Sequence, residues 1–121
     1  MTKVLLVEDD ETLLSAYGLA LKERGYDVTL AGDGQVALRL IQESTPDLII
    51  LDLLMPGLSG IDFLKAYNLP AHPGVKVIVF TNMVSPDTVE KARALGAVET
   101  LTKSSYTPDQ IVAEVKSVLA S

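Results

Sequence analysis

Short apolar runs alternate along this chain with longer stretches in which apolar residues recur at every third or fourth position. Apolar or alternating runs of about four to eight residues are typical of strands, and the wider spacing is typical of helices with one apolar face. The predicted strands cover residues 3–7, 26–31, 48–51, 75–80 and 98–102, and the predicted helices begin near residues 10, 34, 59, 85 and 107.

Glycine, proline and hydroxyl residues mark the boundaries of these helices. Gly25, the pair 45–46 and Gly96 end three of them, as residues that terminate helices do. Ser85 and Thr107 are each followed by proline and aspartate, the pattern of an N-cap, a first helical position and an acidic first turn. The boundaries therefore agree with the apolar spacing.

Strands and helices that alternate along a chain are typical of a parallel sheet with helices on both faces. The first, third and fourth predicted strands are apolar throughout, which fits strands covered on both faces, whereas the second and fifth alternate as edge strands do. We therefore predict a doubly wound α/β sandwich of five strand–helix units with strand order 2-1-3-4-5, a flavodoxin-like arrangement. No change in composition divides the chain, so residues 1–121 are predicted to form one domain.

The charge and residue content exclude several classes of protein. The chain has 121 residues, a formal net charge of -6, ten scattered basic residues and no cysteine. Scattered lysine and arginine do not provide the clustered positive surface that nucleic acids need, and without cysteine there are no disulfides or thiolate metal sites. No stretch has the pattern of a signal sequence or a membrane span, so we expect a soluble cytoplasmic protein that binds neither nucleic acid nor membrane directly.

The apolar run 48–51 leads into Asp52, and the chain turns soon afterwards. Pro56, Gly57 and Gly60 place the carboxylate on a short loop at the end of a buried strand rather than inside a helix. Taken alone, Asp52 could simply end the strand. The residues that follow the other strands decide between that interpretation and a functional one.

Polar side chains stand at the carboxyl ends of four predicted strands. They are Asp9 and Asp10 after the first strand, Asp52 after the third, Thr81 after the fourth and Lys103 after the fifth. In a parallel sheet these ends meet at one edge, where ligands bind. Three carboxylates repel one another and call for a hard cation such as Mg²⁺, since all the donors are oxygen atoms. With this ion an aspartate nucleophile could accept a phosphoryl group, whose oxygens the ammonium and the hydroxyl would stabilise.

The chain resembles a known family, the receiver domains of two-component response regulators. The resemblance extends from residue 3 to residue 119. The matching motifs are residues 7–10 after the first strand, residues 52–60 around the central aspartate, residues 80–81, residues 95–97 and Lys103.

The resemblance implies that Asp52 is the phosphoacceptor and that a sensor histidine kinase or a histidine phosphotransfer protein is the donor. Mg²⁺ would be bound by Asp9, Asp10, Asp52 and the backbone carbonyl of Leu54, and the phosphoryl group would be contacted by Thr81 and Lys103. Phosphorylation would alter a surface made by the fourth helix, fifth strand and fifth helix, which a downstream protein or output domain would read, in a monomer or a phosphorylation-dependent dimer. On this interpretation the protein catalyses its own phosphotransfer and autodephosphorylation but is not a metabolic enzyme.

The chain departs from the family at several positions around the site. Thr100 stands where an aromatic switch residue is usual, Asn82 where alanine or glycine is usual, and Ser104 where a proline, often after a cis peptide bond, is usual. Leu54 and Met83 are apolar beside the pocket, and we hypothesise that they cannot orient an attacking water; a phosphoryl lifetime unchanged by Leu54→Asn and Met83→Glu would contradict this.

Two other interpretations stay open at this point. The departures are compatible with a degenerate receiver that acts as a constitutive protein-interaction module. An aspartyl-phosphate phosphohydrolase is the other candidate, but Leu54 stands where such an enzyme would need a second acid to activate water.

Overall fold

The structure is a computed structural model that describes residues 1–82 and 85–121. Within these residues five strands and five α-helices alternate along the chain. The strands are β1 (Lys3–Val7), β2 (Asp27–Ala31), β3 (Leu48–Leu51), β4 (Lys76–Thr81) and β5 (Glu99–Thr102). The helices are α1 (Glu11–Glu23), α2 (Gly34–Glu43), α3 (Gly60–Tyr67), α4 (Pro86–Ala94) and α5 (Pro108–Leu119). Short 3₁₀ turns cover Leu69–Ala71 and Lys103–Ser105.

The five strands form one parallel sheet in the order β2-β1-β3-β4-β5, which confirms the predicted fold class and strand order. Val7 of β1 lies beside Leu51 of β3, and Leu51 lies beside Val79 of β4. The carboxyl ends of the three central strands therefore meet at the same edge of the sheet, where Asp52 follows β3 directly.

Two apolar clusters fill the space on the two faces of the sheet. Successive side chains of a strand point to opposite faces, so Ile49 and Leu51 of β3 contribute to one cluster and Leu48 and Ile50 to the other. Helices α2, α3 and α4 cover the first cluster, and α1 and α5 cover the second. All four residues of β3 are buried, as its unbroken apolar run predicts for a central strand.

The capping residues predicted from the sequence are in place. The side chain of Ser85 accepts a hydrogen bond from the amide of Thr88 at the start of α4. Thr107 and Gln110 form a complete capping box at the start of α5. The ends of β2, β4 and β5 lie within one residue of the predicted ends, and none of the helices in the described part of the chain is long and apolar enough to cross a membrane.

Candidate functional site

The site lies where the first, third and fifth strands leave the sheet. Each of these strands delivers a charged side chain two positions after a residue of the cluster under α1 and α5. Glu8 follows Leu6, Asp52 follows Ile50 and Lys103 follows Leu101 in this way. Because side chains alternate between the two faces of a strand, the three charged groups continue the direction of that apolar cluster into the edge of the sheet.

Asp52 is almost completely buried, with 3% of its surface exposed, and its carboxylate accepts three hydrogen bonds. The Thr81 hydroxyl donates to Oδ1 over 2.9 Å, and the amide of Leu54 donates to the same oxygen over 3.0 Å. The Lys103 ammonium donates to Oδ2 over 2.9 Å. A carboxylate offers about four lone-pair positions, so the hydroxyl, the amide and the ammonium satisfy most of them and hold the side chain in one orientation.

Lys103 joins Asp52 to a second buried carboxylate, Glu8. The Lys103 ammonium forms ion pairs with both Glu8 and Asp52, and 3% of Glu8 is exposed. The second carboxylate oxygen of Glu8 accepts a hydrogen bond of 3.0 Å from the amide of Asp10. Two buried negative charges are therefore compensated by one shared cation.

These contacts change the pKa values of two groups. Burial raises the pKa of Glu8, and its hydrogen bonds with Lys103 and the Asp10 amide only partly offset this rise. Burial by itself would lower the pKa of Lys103, but the hydrogen bonds and charges of Glu8 and Asp52 outweigh it and leave the pKa above its ordinary value. The ammonium therefore stays charged throughout the neutral range.

Three carboxylates come together at this edge of the sheet. One carboxylate oxygen each from Glu8, Asp9 and Asp52 lie within 4.8 Å of one another, with Asp9 exposed to solvent. At that distance two unit charges repel by roughly 3 kcal/mol at an effective dielectric constant of about 20. Oxygen donors in this arrangement fit a hard divalent cation such as Mg²⁺.

The structure differs from the predicted set of acids at one position, because Asp10 is not part of this group. Its Oδ1 accepts hydrogen bonds from the amides of Thr12 (2.9 Å) and Leu13 (3.1 Å) and so caps the first turn of α1. Glu8 takes its place beside Asp52.

Glu8 is not among the predicted site residues, because the first strand was predicted to end at residue 7 and the run of four acids at residues 8–11 does not show which of them face the site. The backbone ladder continues one residue beyond β1, since the amide of Glu8 donates to the carbonyl of Ala31 over 3.0 Å. The side chain of Glu8 consequently keeps the strand alternation and points into the site. Glu8 lies two positions after the buried Leu6, so both side chains point to the same face of the strand. This alternation is the sequence signal that could have identified Glu8.

The positions that depart from the family pattern lie around this site. Asn82 is exposed, Thr100 is half-buried in β5, and Ser104 lies in the 3₁₀ turn that begins at Lys103. No cis peptide bond occurs among the described residues. The side chain of Leu54 is 55% exposed, and Met83 lies outside the described residues.

The sequence and fold match known proteins over nearly the whole chain. Residues 4–116 match the family model described as response regulator receiver domain. The chain is 37% identical over 119 residues to the sensory transduction protein RegX3 of Mycolicibacterium smegmatis, covering 98% of this chain and 51% of that protein. It is 35% identical over 119 residues to the DNA-binding response regulator MtrA of Mycobacterium tuberculosis, covering 97% of this chain and 50% of that protein.

The solved structures agree with the sequence matches. The chemotaxis protein CheY4 of Vibrio cholerae has a TM-score of 0.89 and 30% sequence identity to this chain, with 98% of each chain covered. The chain spans about half the length of the two relatives named above. With a family model that matches almost all of its length, the chain belongs to the response regulator receiver domains of two-component signalling.

Proposed function

We propose that Asp52 accepts a phosphoryl group from the phosphohistidine of a sensor histidine kinase or a histidine phosphotransfer protein. The observation that supports this most directly is the environment of Asp52, a buried carboxylate that contacts a lysine ammonium and a threonine hydroxyl at once. These are the groups that phosphoryl transfer needs, because charge on the phosphoryl oxygens must be stabilised while it moves.

In the proposed step a carboxylate oxygen of Asp52 attacks phosphorus, and the phosphorus–nitrogen bond of the donor breaks. The bonding electron pair returns to the imidazole nitrogen, which takes up a proton from water. Lys103 balances the negative charge that enters the site, and the Thr81 hydroxyl exchanges its hydrogen bond with Asp52 for one with a phosphoryl oxygen. The raised pKa of Lys103 favours this role because the group stays protonated.

Mg²⁺ fits the carboxylates of Glu8, Asp9 and Asp52, together with the predicted backbone carbonyl of Leu54. Asp10 was predicted as a ligand of the ion. Instead, its backbone amide donates a hydrogen bond to Glu8, and its side chain caps α1. When bound, the ion would neutralise the repulsion between the carboxylates and the approaching phosphoryl group.

The proposed signal is a shift between two arrangements of the surface made by α4, β5 and α5. Thr81 ends β4 and lies beside Thr102 of β5, so a change in the hydrogen bond of its hydroxyl can reach this surface directly. A new dianion at Asp52 would favour one of the two arrangements without changing the fold. A downstream protein or an output domain would recognise the favoured arrangement.

The experiment is to incubate the protein with acetyl phosphate and Mg²⁺ and to measure its mass over time. We expect one phosphoryl adduct on the wild-type chain and none on Asp52→Asn. Asp27→Asn is the matched control, since Asp27 is an exposed aspartate at the opposite end of the sheet, and it should be labelled like the wild type.

Three outcomes would contradict the proposal. Absence of any adduct would favour the degenerate receiver, a constitutive interaction module. An adduct that persists in Asp52→Asn would place the reaction elsewhere. Turnover of acetyl phosphate far beyond one equivalent would favour the phosphohydrolase.

A further inference from the structure

A buried tyrosine of α1 is hydrogen-bonded to the segment that begins with Lys103. The Tyr17 hydroxyl donates to the backbone carbonyl of Tyr106 over 3.0 Å. Tyr106 directly follows the 3₁₀ turn Lys103–Ser105. This bond therefore links α1, which follows the acidic residues of the site, to the turn that positions the site's ammonium.

The turn has little internal support of its own. No side chain caps it, and the hydrogen bond from the Tyr106 amide to the Lys103 carbonyl is long, at 3.4 Å. Ser104 and Ser105 are both exposed, so they add little packing. The turn thus depends on contacts from outside for a fixed geometry.

An aromatic cluster beneath the site supplies such contacts. The rings of Tyr17 and Phe80 meet edge to face, with centroids 5.2 Å apart at 71°, and those of Phe80 and Tyr106 are 6.5 Å apart at 80°. Such edge-to-face pairs are favourable arrangements of aromatic rings. Phe80 immediately precedes Thr81, so the cluster lies next to both groups that contact Asp52 from the fourth and fifth strands.

We propose that Tyr17 is a positioning residue for Lys103, acting through the hydrogen bond of its hydroxyl to the Tyr106 carbonyl. The bond fixes the turn so that the ammonium lies between Glu8 and Asp52 before a phosphoryl group arrives. The inference rests on the proposed function for its consequence on rate, but the structural part can be measured without it.

The electrostatic surroundings of Tyr17 agree with this placement. Burial raises the pKa of Tyr17, the charge of Glu8 raises it further, and the charge of Lys103 lowers it. The charges of Glu8 and Lys103 therefore both act on the phenol of Tyr17. It also stays protonated at neutral pH, so the hydroxyl can donate its hydrogen bond.

The first test compares the rates at which acetyl phosphate labels the wild type, Tyr17→Phe and Tyr26→Phe. Tyr17→Phe removes only the hydroxyl, and we expect the labelling rate to fall roughly two- to tenfold, the equivalent of one net hydrogen bond. Tyr26→Phe is the matched control, because Tyr26 packs at the rim of the same apolar cluster, and its rate should stay unchanged. Equal rates for Tyr17→Phe and the wild type would overturn the proposal.

A double-mutant cycle distinguishes positioning of Lys103 from general loosening of the fold. In a Lys103→Ala background the ammonium is gone, so Tyr17→Phe should slow labelling no further. If Tyr17→Phe slows labelling by the same factor in both backgrounds, Tyr17 does not act through Lys103 and the inference is wrong.

Amide hydrogen exchange in the absence of any phosphodonor tests the structural part. Tyr17→Phe should speed exchange across residues 103–106 about two- to tenfold, while Tyr26→Phe leaves it unchanged. Unchanged exchange in Tyr17→Phe would overturn the inference even if labelling were slow. Faster exchange in a protein whose wild type takes no phosphoryl group would instead leave the positioning role intact and reject the proposed function.

Discussion

At the scale of single residues, the site is dominated by one cation shared between two buried carboxylates. The ammonium of Lys103 contacts Glu8 and Asp52, and its side chain is only 10% exposed. Removing one partner of a buried ion pair leaves the remaining charge without compensation. Here two negative charges would be left facing each other.

We therefore predict that Lys103→Met lowers the free energy of unfolding at pH 7 by about 1–3 kcal/mol without divalent cations. Folding raises the pKa of Lys103 above its ordinary value of 10.5. The contribution of the ammonium to stability is therefore complete below pH 10.5, and it is lost as the pH rises from there through the pKa of the folded protein. The measurement is urea unfolding at pH 7 and pH 11, and the difference between variant and wild type should be smaller at pH 11.

Two companion variants make this prediction specific. Lys65→Met removes an exposed lysine of α3 and should change the free energy little. Adding Glu8→Gln to Lys103→Met removes one of the two facing charges and should recover part of the loss. A double variant as unstable as Lys103→Met would show that the charge of Glu8 does not cause the effect.

At the scale of elements, the connection from β3 to α3 positions Asp52. The amide of Gly60, the first residue of α3, donates to the carbonyl of Leu53 over 3.1 Å. A side chain at Gly60 would place its Cβ 2.5 Å from the carbonyl oxygen of Asp52 and 2.7 Å from the Cα of Leu53. Both neighbours are backbone atoms, so the connection could accept a side chain only by moving.

Gly60→Ala should therefore lower the free energy of unfolding by about 1–3 kcal/mol, the usual cost of overpacking. Gly74→Ala is the matched control, since a Cβ there meets nothing within 4 Å, and it should have little effect. Thermal unfolding of the two variants and the wild type gives the comparison. Equal stability of Gly60→Ala and the wild type would mean that the connection can move without cost.

At the scale of the whole molecule, two glutamate side chains meet between the edge strand β5 and the last helix, α5. Burial raises the pKa of Glu99 above its ordinary value of 4.5, and the neighbouring carboxyl of Glu114 on α5 raises it further. The Oε2 atom of Glu99 is buried and has no hydrogen-bond partner among the described residues. The folded protein thus holds this proton at pH values where the unfolded chain has already lost it.

The contribution of Glu99 to stability should consequently fall as the pH rises from about 4.5 towards neutrality. We predict that Glu99→Gln, which cannot ionise, stabilises the fold at pH 7 relative to the wild type and has a smaller effect at pH 4. Denaturant unfolding across this pH range tests it, with Glu23→Gln at the exposed end of α1 as the control. A constant difference between Glu99→Gln and the wild type at all pH values would contradict the prediction.

Much of the architecture could be predicted because it depends on local pattern. The unbroken apolar run of β3 must be buried on both faces of the sheet, which indicates a central strand. The polar alternation of β2 and β5 allows one face to contact solvent, which indicates the two edges of the sheet. Thr107 and Gln110 were identifiable as a helix start because a capping box uses only neighbouring residues. The turn at Lys103–Ser105 was not predicted, because its support comes from α1, far away in sequence.

The sequence by itself determined the alternation of elements, the two-sided core and the presence of Asp52, Thr81 and Lys103 at the ends of strands. These features follow from the period of the apolar residues and from the polar residue that ends each run. Only the tertiary structure decided which acid of the run 8–11 faces Asp52. That choice depends on how far the backbone ladder of β1 extends beside β2. The alternation with Leu6 assigns Glu8 to the site only if the strand pairing continues beyond Val7, and that continuation is set by hydrogen bonds to another strand.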